Sequence, residues 1–558
     1  MENLPNKSYL CGAASEPLIF ETIGDCVDRM AETHPDREAL VVRHQSVRWT
    51  FKQYRDQIDA LAIGLLKLGI GKGDRVGIWS PNRYEWCLTQ FATAKIGAIM
   101  VCINPAYRLY ELEYALNKVE CKAIVAAESF KSSEYLVMLQ ELAPELNQCV
   151  PGELESQKLP TLKSVIRMGD EKSPGMFNFA EVMQFGGEAE KQIMRNIAQT
   201  LQPDDAINIQ FTSGTTGNPK GATLSHFNIL NNGLQVGAGM RFSPEDRLCI
   251  PVPLYHCFGM VMGNLACMTH GACAVFPDEG FDPQSVLQTV QDEKCTALHG
   301  VPTMFVAETE LPSVSEYDLS SLRTGVMAGA PCPLELMHLV IEKLNMSEIT
   351  IMYGQTETSP VNHMTDIDAP AEKRCGTVGK VGPYQEIKII DESGRVVELG
   401  EKGELCCRGY SVMRGYWGDE ERTAETIDAA GWLHSGDLAV MDAGGYVQIV
   451  GRIKDMIIRG GENIYPREIE EFLYTHPDIT EAQVFGVPDE RYGEIVAVWI
   501  QVKEGAVLNA EGVVEFCQNQ ITHFKVPAII KFVEEFPMTV TGKIQKFKMR
   551  DAVVAQLK

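Results

Sequence analysis

The sequence predicts an α/β protein with a large N-terminal domain of parallel sheets and helices, a small antiparallel barrel-like region, and a small α+β C-terminal domain. Apolar strand-like runs alternate with helical periodicities through the first two-thirds of the 558 residues, as is typical of parallel sheets covered on both faces. From about Cys375 to Val450, short alternating runs are separated by Gly and Asp turns, which favours antiparallel sheet. A second α+β stretch follows Arg452.

The N-terminal elements follow one another in regular alternation. Thr50 is suited to cap a helix over 51–68, in which leucines recur at helical spacing until Gly69 ends it. The sequence then predicts a helix over 83–95, a helix over 333–344, and strands over Arg75–Trp79, 98–103, 206–211, 247–253, Cys273–Phe276, 297–299, 324–327 and 348–352.

The C-terminal third has shorter elements. Runs 386–390 and 404–408 alternate as strands do. Pro466 suits the first turn of a helix whose Ile469, Phe472 and Leu473 form one apolar stripe. The polar turn over 451–455 is the predicted boundary before a C-terminal part of about 100 residues.

Composition narrows the class of protein. The 75 acidic residues against 50 basic ones give a net charge of −25, which disfavours binding to nucleic acid or anionic membranes. The 16 cysteines are scattered without a CxxC pair, which predicts buried reduced thiols rather than disulfides. We see no signal peptide and no apolar run long enough to span a bilayer, and we therefore expect a cytoplasmic protein.

The most informative segment is 212–221, TSGTTGNPKG, which directly follows an apolar strand. Lys220 supplies positive charge, and Ser225 can cap a following helix. A strand, a loop, a lysine and a helix in this order predict a phosphate cradle, although Lys220 does not stand in a Walker A sequence. The loop's backbone and side-chain donors are Thr212, Ser213, Gly214, Thr215, Thr216, Gly217 and Gly221.

This loop resembles the signature of the adenylate-forming (AMP-binding) superfamily, which includes acyl- and aryl-CoA synthetases, peptide-synthetase adenylation domains and beetle luciferases. Four further segments match in the family's order, so that the resemblance covers nearly the whole chain. They are 353–357 (YGQTE), Ser435-Gly436-Asp437, 451–470 and Thr541-Gly542-Lys543. In its overall sequence pattern the chain is most similar to medium-chain fatty-acyl-CoA synthetases.

The resemblance implies an ATP site that follows the strand over 348–352. It makes Glu357 the ligand of a Mg²⁺ that bridges ATP phosphates, and a hard cation prefers such carboxylate oxygens. It lets Thr356 hydrogen-bond the phosphate and Tyr353 stack on adenine. Gly329 and Ala330 resemble the backbone segment that contacts adenine.

The same resemblance implies two moving parts, with an N-terminal domain over 1–452, a hinge at 453–454 and a mobile C-terminal domain over 455–558. Asp437 is the expected acceptor for the ribose hydroxyls, and Arg452 reaches ribose and phosphate. Lys543 is the expected catalytic lysine, which stabilises charge at the α-phosphate during adenylation. Lys454 stands at the hinge, where many members have Asp. Gly460 and Gly461 are expected to line the pantetheine tunnel when coenzyme A attacks.

Segment 253–260 resembles the border of the acyl pocket in fatty-acyl and aryl-CoA synthetases. His256 would then lie near the substrate carboxylate or act as a gate, with a structural histidine as the alternative. No aspartate in this segment suits an α-amino group, which disfavours amino-acid activation. Met260, Val261 and Met262 suit an apolar chain or an ordinary core.

We therefore expect an AMP-forming ligase that joins a fatty acid, of medium chain length, to coenzyme A through an acyl-adenylate. An aryl- or branched-acid ligase and a luciferase-like oxygenase are alternatives within the fold. A non-catalytic nucleotide-binding scaffold is an alternative of another class, and the presence of all five charged motif residues argues against it. The expected partners are the small molecules ATP, Mg²⁺, fatty acid and coenzyme A, without nucleic acid; a homodimer stays open.

The last 34 residues reverse the charge of the chain. From 525 to 558 there are seven basic and three acidic residues, a net of +4. We interpret this tail as serving nucleotide or coenzyme A phosphates, with a solvated basic face as the alternative.

Overall fold

The computed structural model of the chain describes residues 6–14, 17–212, 219–459, 462–489, 491–518, 520–539 and 544–557. Its strands are β1 (Tyr9–Cys11), β2 (Glu38–Val42), β3 (Val47–Thr50), β4 (Arg75–Trp79), β5 (Ile99–Cys102), β6 (Ala123–Ala126), β7 (Ser164–Arg167), β8 (Met176–Asn178), β9 (Ala206–Thr212), β10 (Lys220–Ser225), β11 (Arg247–Cys249), β12 (Cys273–Phe276), β13 (Ala297–Leu298), β14 (Thr324–Ala328), β15 (Glu348–Gly354), β16 (Val361–Met364), β17 (Lys380–Val381), β18 (Gln385–Ile390), β19 (Lys402–Gly409), β20 (Gly415–Tyr416), β21 (Leu433–Met441), β22 (Val447–Arg452), β23 (Ile457–Arg459), β24 (Glu462–Ile464), β25 (Ile479–Asp489), β26 (Gly493–Val502) and β27 (Ile529–Phe532).

The α-helices complete the inventory of regular elements. They are α1 (Ile23–Thr33), α2 (Phe51–Lys67), α3 (Tyr84–Lys95), α4 (Leu109–Lys118), α5 (Tyr135–Leu142), α6 (Phe179–Val182), α7 (Glu188–Ala198), α8 (His226–Gly239), α9 (Ala266–His270), α10 (Pro283–Glu293), α11 (Pro302–Thr309), α12 (Leu334–Leu344), α13 (Ala371–Gly376), α14 (Glu420–Thr426), α15 (Pro466–Leu473), α16 (Ala510–Cys517) and α17 (Lys546–Leu557).

The capped helix predicted near Thr50 is confirmed. The Thr50 side chain accepts from the backbone N–H of Gln53, and the Gln53 side chain accepts from the backbone N–H of Thr50, so that α2 begins with a reciprocal capping box. The helix ends at Lys67, and Gly69 then takes a φ of 74°, a conformation that glycine adopts without a steric penalty.

Contacts divide the chain into two compact units, which are described separately. The larger unit comprises Cys11–Glu386 and Cys407–Leu433. It contains an eight-stranded sheet in the order β20-β10-β9-β5-β4-β6-β7-β8 and a nine-stranded sheet in the order β17-β16-β15-β14-β13-β11-β12-β2-β3. The central strands of both sheets pair in parallel, as predicted. Antiparallel strands extend one edge of the eight-stranded sheet and both edges of the nine-stranded sheet.

A layer of helices lies between these two sheets. Helix α3 contacts β4 and β5 of one sheet, and its neighbour α2 contacts β2 and β3 of the other. Every residue of α3 from Glu85 to Lys95 is buried. The ammonium group of Lys95 pairs with Asp28 at 2.6 Å and with Asp59 at 2.5 Å, which offsets the cost of placing a cation in the core.

The smaller unit comprises Met1–Leu10, Ile387–Cys406 and His434–Lys558. Most of the five-stranded sheet β1-β18-β19-β21-β22 belongs to it, and β18 and β19 are the strands predicted over 386–390 and 404–408. A second sheet, in the order β24-β23-β26-β25 with β27 beside β26, packs with α15 and α17 as the predicted α+β part. The predicted hinge at 453–454 and the boundaries around it remain predictions.

The predicted passage from loop to lysine to helix is wrong in one respect. Lys220 begins strand β10, which returns antiparallel to β9 with Lys220 opposite Thr212. A further strand is possible here because residues 221–224 are small or β-branched apart from one leucine, and Gly221 fits closely against Ile209. Ser225 then caps α8 as predicted, accepting from the backbone N–H of Asn228 at 3.1 Å. The segment therefore connects the strands of a hairpin.

Among the residues that the structure describes, no helix has both the length and the apolar character needed to cross a membrane. All sixteen cysteines lie in this part of the chain, and none of them forms a disulfide. The prediction of buried reduced thiols is confirmed for thirteen of them, whereas Cys149 and Cys375 are half-buried and Cys11 is exposed.

Candidate functional site

The carboxyl ends of β14 and β15 form the edge at which the predicted nucleotide residues lie. The two strands are parallel neighbours, so their ends meet at one side of the sheet, where open α/β sheets bind ligands. Strand β14 leads into the exposed Gly329 and Ala330, and Gly329 has a φ of 89°. Strand β15 carries the half-buried Tyr353 and leads into a single 3₁₀ turn, Thr356–Thr358.

The turn after β15 is fixed by close backbone packing. A Cβ at Gly354 would lie 1.8 Å from the carbonyl oxygen of Pro360, so only glycine fits there without a shift of the backbone. The buried hydroxyl of Thr358 lies 2.7 Å from the same carbonyl and accepts from the N–H of Gln355 at 3.0 Å. These contacts hold the turn that presents Thr356 and Glu357.

Side chains from three strands gather around the carboxylate of Glu357, two in direct contact with it and one through a phenol. The hydroxyl of Tyr416 donates to Glu357 Oε1 at 2.8 Å, and Thr212 Oγ1 lies 3.5 Å from the same oxygen. The ammonium of Lys220 donates to the Tyr416 oxygen at 3.1 Å and stands 4.4 Å from the centre of its ring. We call Thr212, Lys220, Glu357 and Tyr416 the carboxylate cluster.

Strand register explains why these side chains meet. In the antiparallel pair of β9 and β10, Lys220 lies opposite Thr212. Strand β20 pairs with β10 on its other side, with Tyr416 opposite Ala222. Sequence reasoning found Thr212, Lys220 and Glu357 but missed Tyr416, whose only signal is an aromatic residue after a glycine in a two-residue strand.

Tyr416 acts as a neutral hydrogen-bond donor in this cluster. Burial and the adjacent carboxylate of Glu357 both raise the pKa of its phenol far above the usual range. The phenol therefore keeps its proton at neutral pH. Because it accepts from Lys220, its O–H is polarised and donates a stronger hydrogen bond to Glu357.

The segment that contains His256 passes beside Thr356. Burial raises the pKa of the Cys257 thiol well above its ordinary value, with the neighbouring Thr356 hydroxyl acting in the opposite direction. His256 itself is exposed, and its Nδ1 accepts from the N–H of Phe258 at 3.2 Å. The chain then forms a π-helical segment, Phe258–Leu265, a geometry found at many functional sites, in which Met260, Val261 and Met262 are buried.

His299 is a second feature that sequence reasoning missed. Its Nδ1 accepts from the N–H of Val326 at 3.2 Å, so its Nε2 carries the proton and donates to the carbonyl of Met262 at 3.0 Å. Burial lowers the pKa of this imidazole to about 4. A neutral histidine therefore joins β14 to the π-helical segment. Only its position at the end of β13 offered a signal.

Tyr353 lies against a neutral aromatic wall. Its ring meets His363 of β16 edge-on, with centroids 5.8 Å apart. Burial lowers the pKa of His363 to about 3, so that ring is uncharged at neutral pH. An aromatic face beside the carboxyl edge of β15 is suitable for stacking on a flat heterocycle.

In the smaller unit, two separate sequence motifs join through a hairpin. Asp437 of β21 lies opposite Arg452 of β22, and Arg452 Nε is 2.8 Å from Asp437 Oδ1. The N–H of Asp437 also donates to Ser435 Oγ at 3.0 Å. Asp437 is buried while Arg452 is half-exposed, so the pair combines an oriented acceptor with an accessible cation.

The remaining predicted residues have mixed outcomes. Lys454 is exposed in a 3₁₀ turn, Ile453–Asp455, that directly follows β22. Eight predicted residues lie outside the described part of the chain, and their roles remain predictions: Ser213, Gly214, Thr215, Thr216, Gly217, Gly460, Gly461 and Lys543.

The basic tail is partly neutralised by its own unit. Three of its basic residues form ion pairs with carboxylates, which supports a structural role for those three. The pairs are Lys525 with Glu468 at 2.6 Å, Lys546 with Glu470 at 2.5 Å and Arg550 with Glu494 at 3.1 Å.

The chain is similar to known proteins along almost its whole length. The model of the AMP-binding enzyme family matches residues 27–417, and the model of the AMP-binding enzyme C-terminal domain matches residues 468–543. A putative acyl-CoA synthetase, YngI of Bacillus subtilis (strain 168), is 46% identical over 96% of this chain and 98% of its own. A mitochondrial medium-chain acyl-CoA ligase, ACSF2 of Danio rerio, is 47% identical over 99% of this chain and 91% of its own.

Solved structures have the same architecture. The anthranilate CoA ligase AuaEII in complex with anthranoyl-AMP superposes with a TM-score of 0.84 at 26% identity, covering 97% of this chain and 99% of that one. ATP-bound MatB from Rhodopseudomonas palustris superposes with a TM-score of 0.83 at 26% identity, covering 96% of this chain and 100% of the other.

Proposed function

Because the chain belongs to the AMP-binding enzyme family and is an AMP-forming fatty acid–CoA ligase, we propose that its acid is a fatty acid of medium chain length. Supporting observations are the similarity to medium-chain ligases and the buried apolar residues Met260, Val261 and Met262 beside the exposed His256. The segment over 253–260 also lacks an aspartate for an α-amino group. We assign His256 to the carboxylate end of the acid.

The first step joins the acid to AMP. The fatty-acid carboxylate attacks the α-phosphorus of ATP, the bond to the bridging oxygen breaks, and pyrophosphate leaves. No general base is needed, because the acid is already ionised at neutral pH. We assign Lys220, Thr212 and the loop between them to the phosphates, and Lys543 to the charge that develops at the α-phosphate. The carboxylate cluster is the observation that carries this assignment.

The residues around Glu357 suit Mg²⁺. Glu357 and Thr212 offer carboxylate and hydroxyl oxygens, the donors that this hard cation prefers, at a half-buried position. Bound there, Mg²⁺ would neutralise phosphate charge. Tyr416 orients the carboxylate through its 2.8 Å hydrogen bond, and Thr356 offers a hydroxyl to the phosphate.

We assign adenosine to two sets of residues. Tyr353 would stack on adenine, with the backbone of Gly329 and Ala330 beside it, since all three lie at the carboxyl ends of β14 and β15. Asp437 would accept from the ribose hydroxyls, held in orientation by Arg452.

The second step needs a different arrangement of the C-terminal part. The coenzyme A thiol attacks the acyl carbonyl, AMP leaves, and the thioester forms. We propose that the part over 455–558 turns about 453–454, with Lys454 at the pivot, so that Lys543 leaves the site and Gly460 and Gly461 face the pantetheine. The proposed N-terminal domain is 1–452.

Two assays over a panel of acids test this function. The panel spans short, medium and long straight chains, branched acids and aryl acids, and it is run with and without coenzyme A while pyrophosphate and thioester are measured. We expect the highest kcat/KM for thioester formation with medium straight chains. A preference for aryl or branched acids would overturn the proposed substrate. Pyrophosphate without thioester would indicate a luciferase-like oxygenase or a loader of carriers, and no pyrophosphate would indicate a scaffold.

The cellular compartment is a separate proposal. We propose the cytoplasm, a reducing compartment that suits sixteen cysteines of which none forms a disulfide. The medium-chain ligases of Danio rerio and Homo sapiens are named as mitochondrial. Fractionation of the source cells with an antibody to this chain distinguishes the two compartments.

A further inference from the structure

A cluster of three metal-ligating side chains lies in the smaller unit, on neighbouring strands. Glu404 and Cys406 are two residues apart on β19, and therefore project from the same face of the sheet. His434 lies on β21, the next strand in that sheet. We call Glu404, Cys406 and His434 the thiol–imidazole cluster.

The ligand atoms of this cluster converge on one small volume. His434 Nδ1 lies 2.9 Å from Glu404 Oε2 and 3.6 Å from Cys406 Sγ, and one ligand atom from each residue falls within 4.8 Å of the others. Tetrahedral zinc, with bonds of about 2.0–2.3 Å, places its ligands roughly 3.3–3.8 Å apart. The spacing from His434 to Cys406 lies within that range and the spacing from His434 to Glu404 lies just below it, so a small side-chain adjustment admits an ion.

The geometry does not suit a nucleophilic relay. In a Cys–His–Glu relay, the thiol and the carboxylate contact different imidazole nitrogens, so that one orients the ring while the other exchanges a proton. Here both Glu404 and Cys406 face Nδ1 of His434. Cys406 is also fully buried, which denies a substrate access to its sulfur.

Two neighbouring hydrogen bonds support the cluster: one orients a ligand, and the other joins the two strands. The N–H of Gly436 donates to Glu404 Oε1 at 3.1 Å, which directs Oε2 to His434. The hydroxyl of Ser435 donates to the carbonyl of Leu405 at 2.6 Å, which ties β21 to β19 between the ligands. Supporting contacts of this kind raise the affinity of metal sites, and their loss typically weakens binding about 10–100-fold.

We propose that Glu404, Cys406 and His434 bind one Zn²⁺, with a water molecule as the fourth ligand. Thiolate, imidazole and one carboxylate are a zinc donor set, whereas Mg²⁺ and Ca²⁺ require oxygen ligands throughout. Binding releases the thiol proton of Cys406 to solvent as the zinc–sulfur bond forms. The bound ion joins β19 to β21 beside the Ser435-Gly436-Asp437 motif. This site is independent of the proposed substrate.

Metal binding by the full-length chain tests the proposal. The protein is stripped with a chelator, supplied with Zn²⁺ or Co²⁺ in the absence of ATP and added thiols, desalted and analysed for metal. We expect one Zn²⁺ per chain, a Co²⁺ derivative with a thiolate-to-cobalt charge-transfer band in the near ultraviolet, and no retention of Mg²⁺. Absence of the band, or no zinc retained, overturns the proposal.

Variants assign the ion to this cluster. Cys406→Ala and His434→Ala should each weaken Zn²⁺ binding at least tenfold, and Cys406→Ala should abolish the cobalt band. Cys407→Ala is the matched control, because Cys407 is the next buried thiol on the same strand and projects from its other face. The Glu357→Gln variant should keep its zinc. Equal binding by Cys406→Ala and the parent chain would overturn the site.

Stability measurements keep the test decisive if an alanine variant folds poorly. Glu404→Gln nearly preserves shape, so its fold should survive while Zn²⁺ binding weakens at least tenfold. Zn²⁺ should raise the unfolding temperature of the parent chain and of Cys407→Ala, and should leave that of Glu404→Gln nearly unchanged. An equal rise in all three proteins would contradict the proposal.

Discussion

Tyr416 connects a cation and an anion through one phenol oxygen. It donates to Glu357 at 2.8 Å while it accepts from Lys220 at 3.1 Å, so it links the two opposite charges near the carboxyl end of β15, where we propose that the nucleotide binds. A direct Lys–Glu ion pair would neutralise both groups and lower the affinity of Lys220 for phosphate. We therefore propose that the phenol, by standing between Lys220 and Glu357, leaves Lys220 able to bind phosphate.

Removing this hydroxyl should impair catalysis without unfolding the chain. We expect Tyr416→Phe to lower kcat/KM for ATP about 10- to 100-fold, the range for losing a hydrogen bond to a charged group, because Glu357 loses its orienting donor. Steady-state kinetics at saturating fatty acid and coenzyme A measure the effect.

A second phenol–glutamate hydrogen bond supplies the control for Tyr416. Tyr474 donates to Glu481 at 2.5 Å in the smaller unit, so Tyr474→Phe removes the same chemical contact elsewhere. It should leave kcat/KM for ATP within about twofold of the parent. Equal losses in the two variants would show that the hydroxyls act through stability alone.

At the scale of elements, the backbone of the turn after β15 sets the positions of Thr356 and Glu357. A Cβ at Gly354 would lie 1.8 Å from the Pro360 carbonyl, so Gly354→Ala must shift the backbone that carries Thr356 and Glu357. We expect a loss of about 1–3 kcal/mol of stability from overpacking, and a loss of about 100-fold in kcat/KM from a shift near 1 Å. Urea unfolding and kinetics measure the two effects.

Gly376 offers the matched control for that substitution. It lies in α13, and an added Cβ would meet no atom within 4 Å. Gly376→Ala should change neither quantity by a comparable amount. A Gly354→Ala variant with parental kinetics would contradict the role given to the turn.

The buried His299, which connects β14 to the π-helical segment, should make the free energy of unfolding depend on pH. The pKa of His299 is lowered from about 6.5 to about 4, so the fold favours the neutral imidazole. This contribution is fully present above pH 6.5 and is lost as the pH falls toward 4, by roughly 3 kcal/mol in total. His226 and His363 are buried as well and add to the same loss.

Urea unfolding between pH 7 and pH 4 measures this dependence. His299→Gln should unfold with a shallower decline in free energy than the parent chain, because one of three buried imidazoles no longer titrates. The exposed His338 provides the control, and His338→Gln should keep the parental slope. Identical slopes for His299→Gln and the parent would rule out this explanation.

Elements were predictable from the sequence where the signal is local. The capping box at Thr50 and the strand over Arg75–Trp79 depend on side chains near in sequence, and both were placed correctly. Strand β10 was missed because its pairing with β9 and β20 depends on register between distant segments. Tyr416 was missed for the same reason, since nothing near it in sequence shows that Glu357 is its partner.

For the whole molecule, the central prediction separates the two half-reactions. We expect Lys543→Ala to lose adenylation by about 100-fold or more, because the charge at the α-phosphate is no longer stabilised. The variant should still form thioester from supplied acyl-adenylate and coenzyme A at a rate near that of the parent. Pyrophosphate release and thioester formation measure the steps separately. Equal loss of both steps would contradict the two-arrangement proposal.

Global charge and local charge have different meanings in this chain. A net charge of −25 is compatible with anionic substrates because the cations are placed individually, as Lys220 and Arg452 show. The sequence motifs located both residues, but only the structure shows that Arg452 and the tail residues Lys525, Lys546 and Arg550 pair with carboxylates, whereas Lys220 contacts the Tyr416 phenol. Partners distant in sequence decided that difference.

The hairpin of β9 and β10 allows the connection between its strands to change in length with little effect on the stability of the fold. Since Thr212 and Lys220 are paired across the hairpin, the sheet itself holds the two ends of the seven-residue connection together. Doubling its length would then add only about 0.6 kcal/mol of closure entropy. The stability of the fold therefore hardly constrains the length of this connection. A library of variants with different connection lengths could be screened directly for altered nucleotide use, without a prior screen for folded protein.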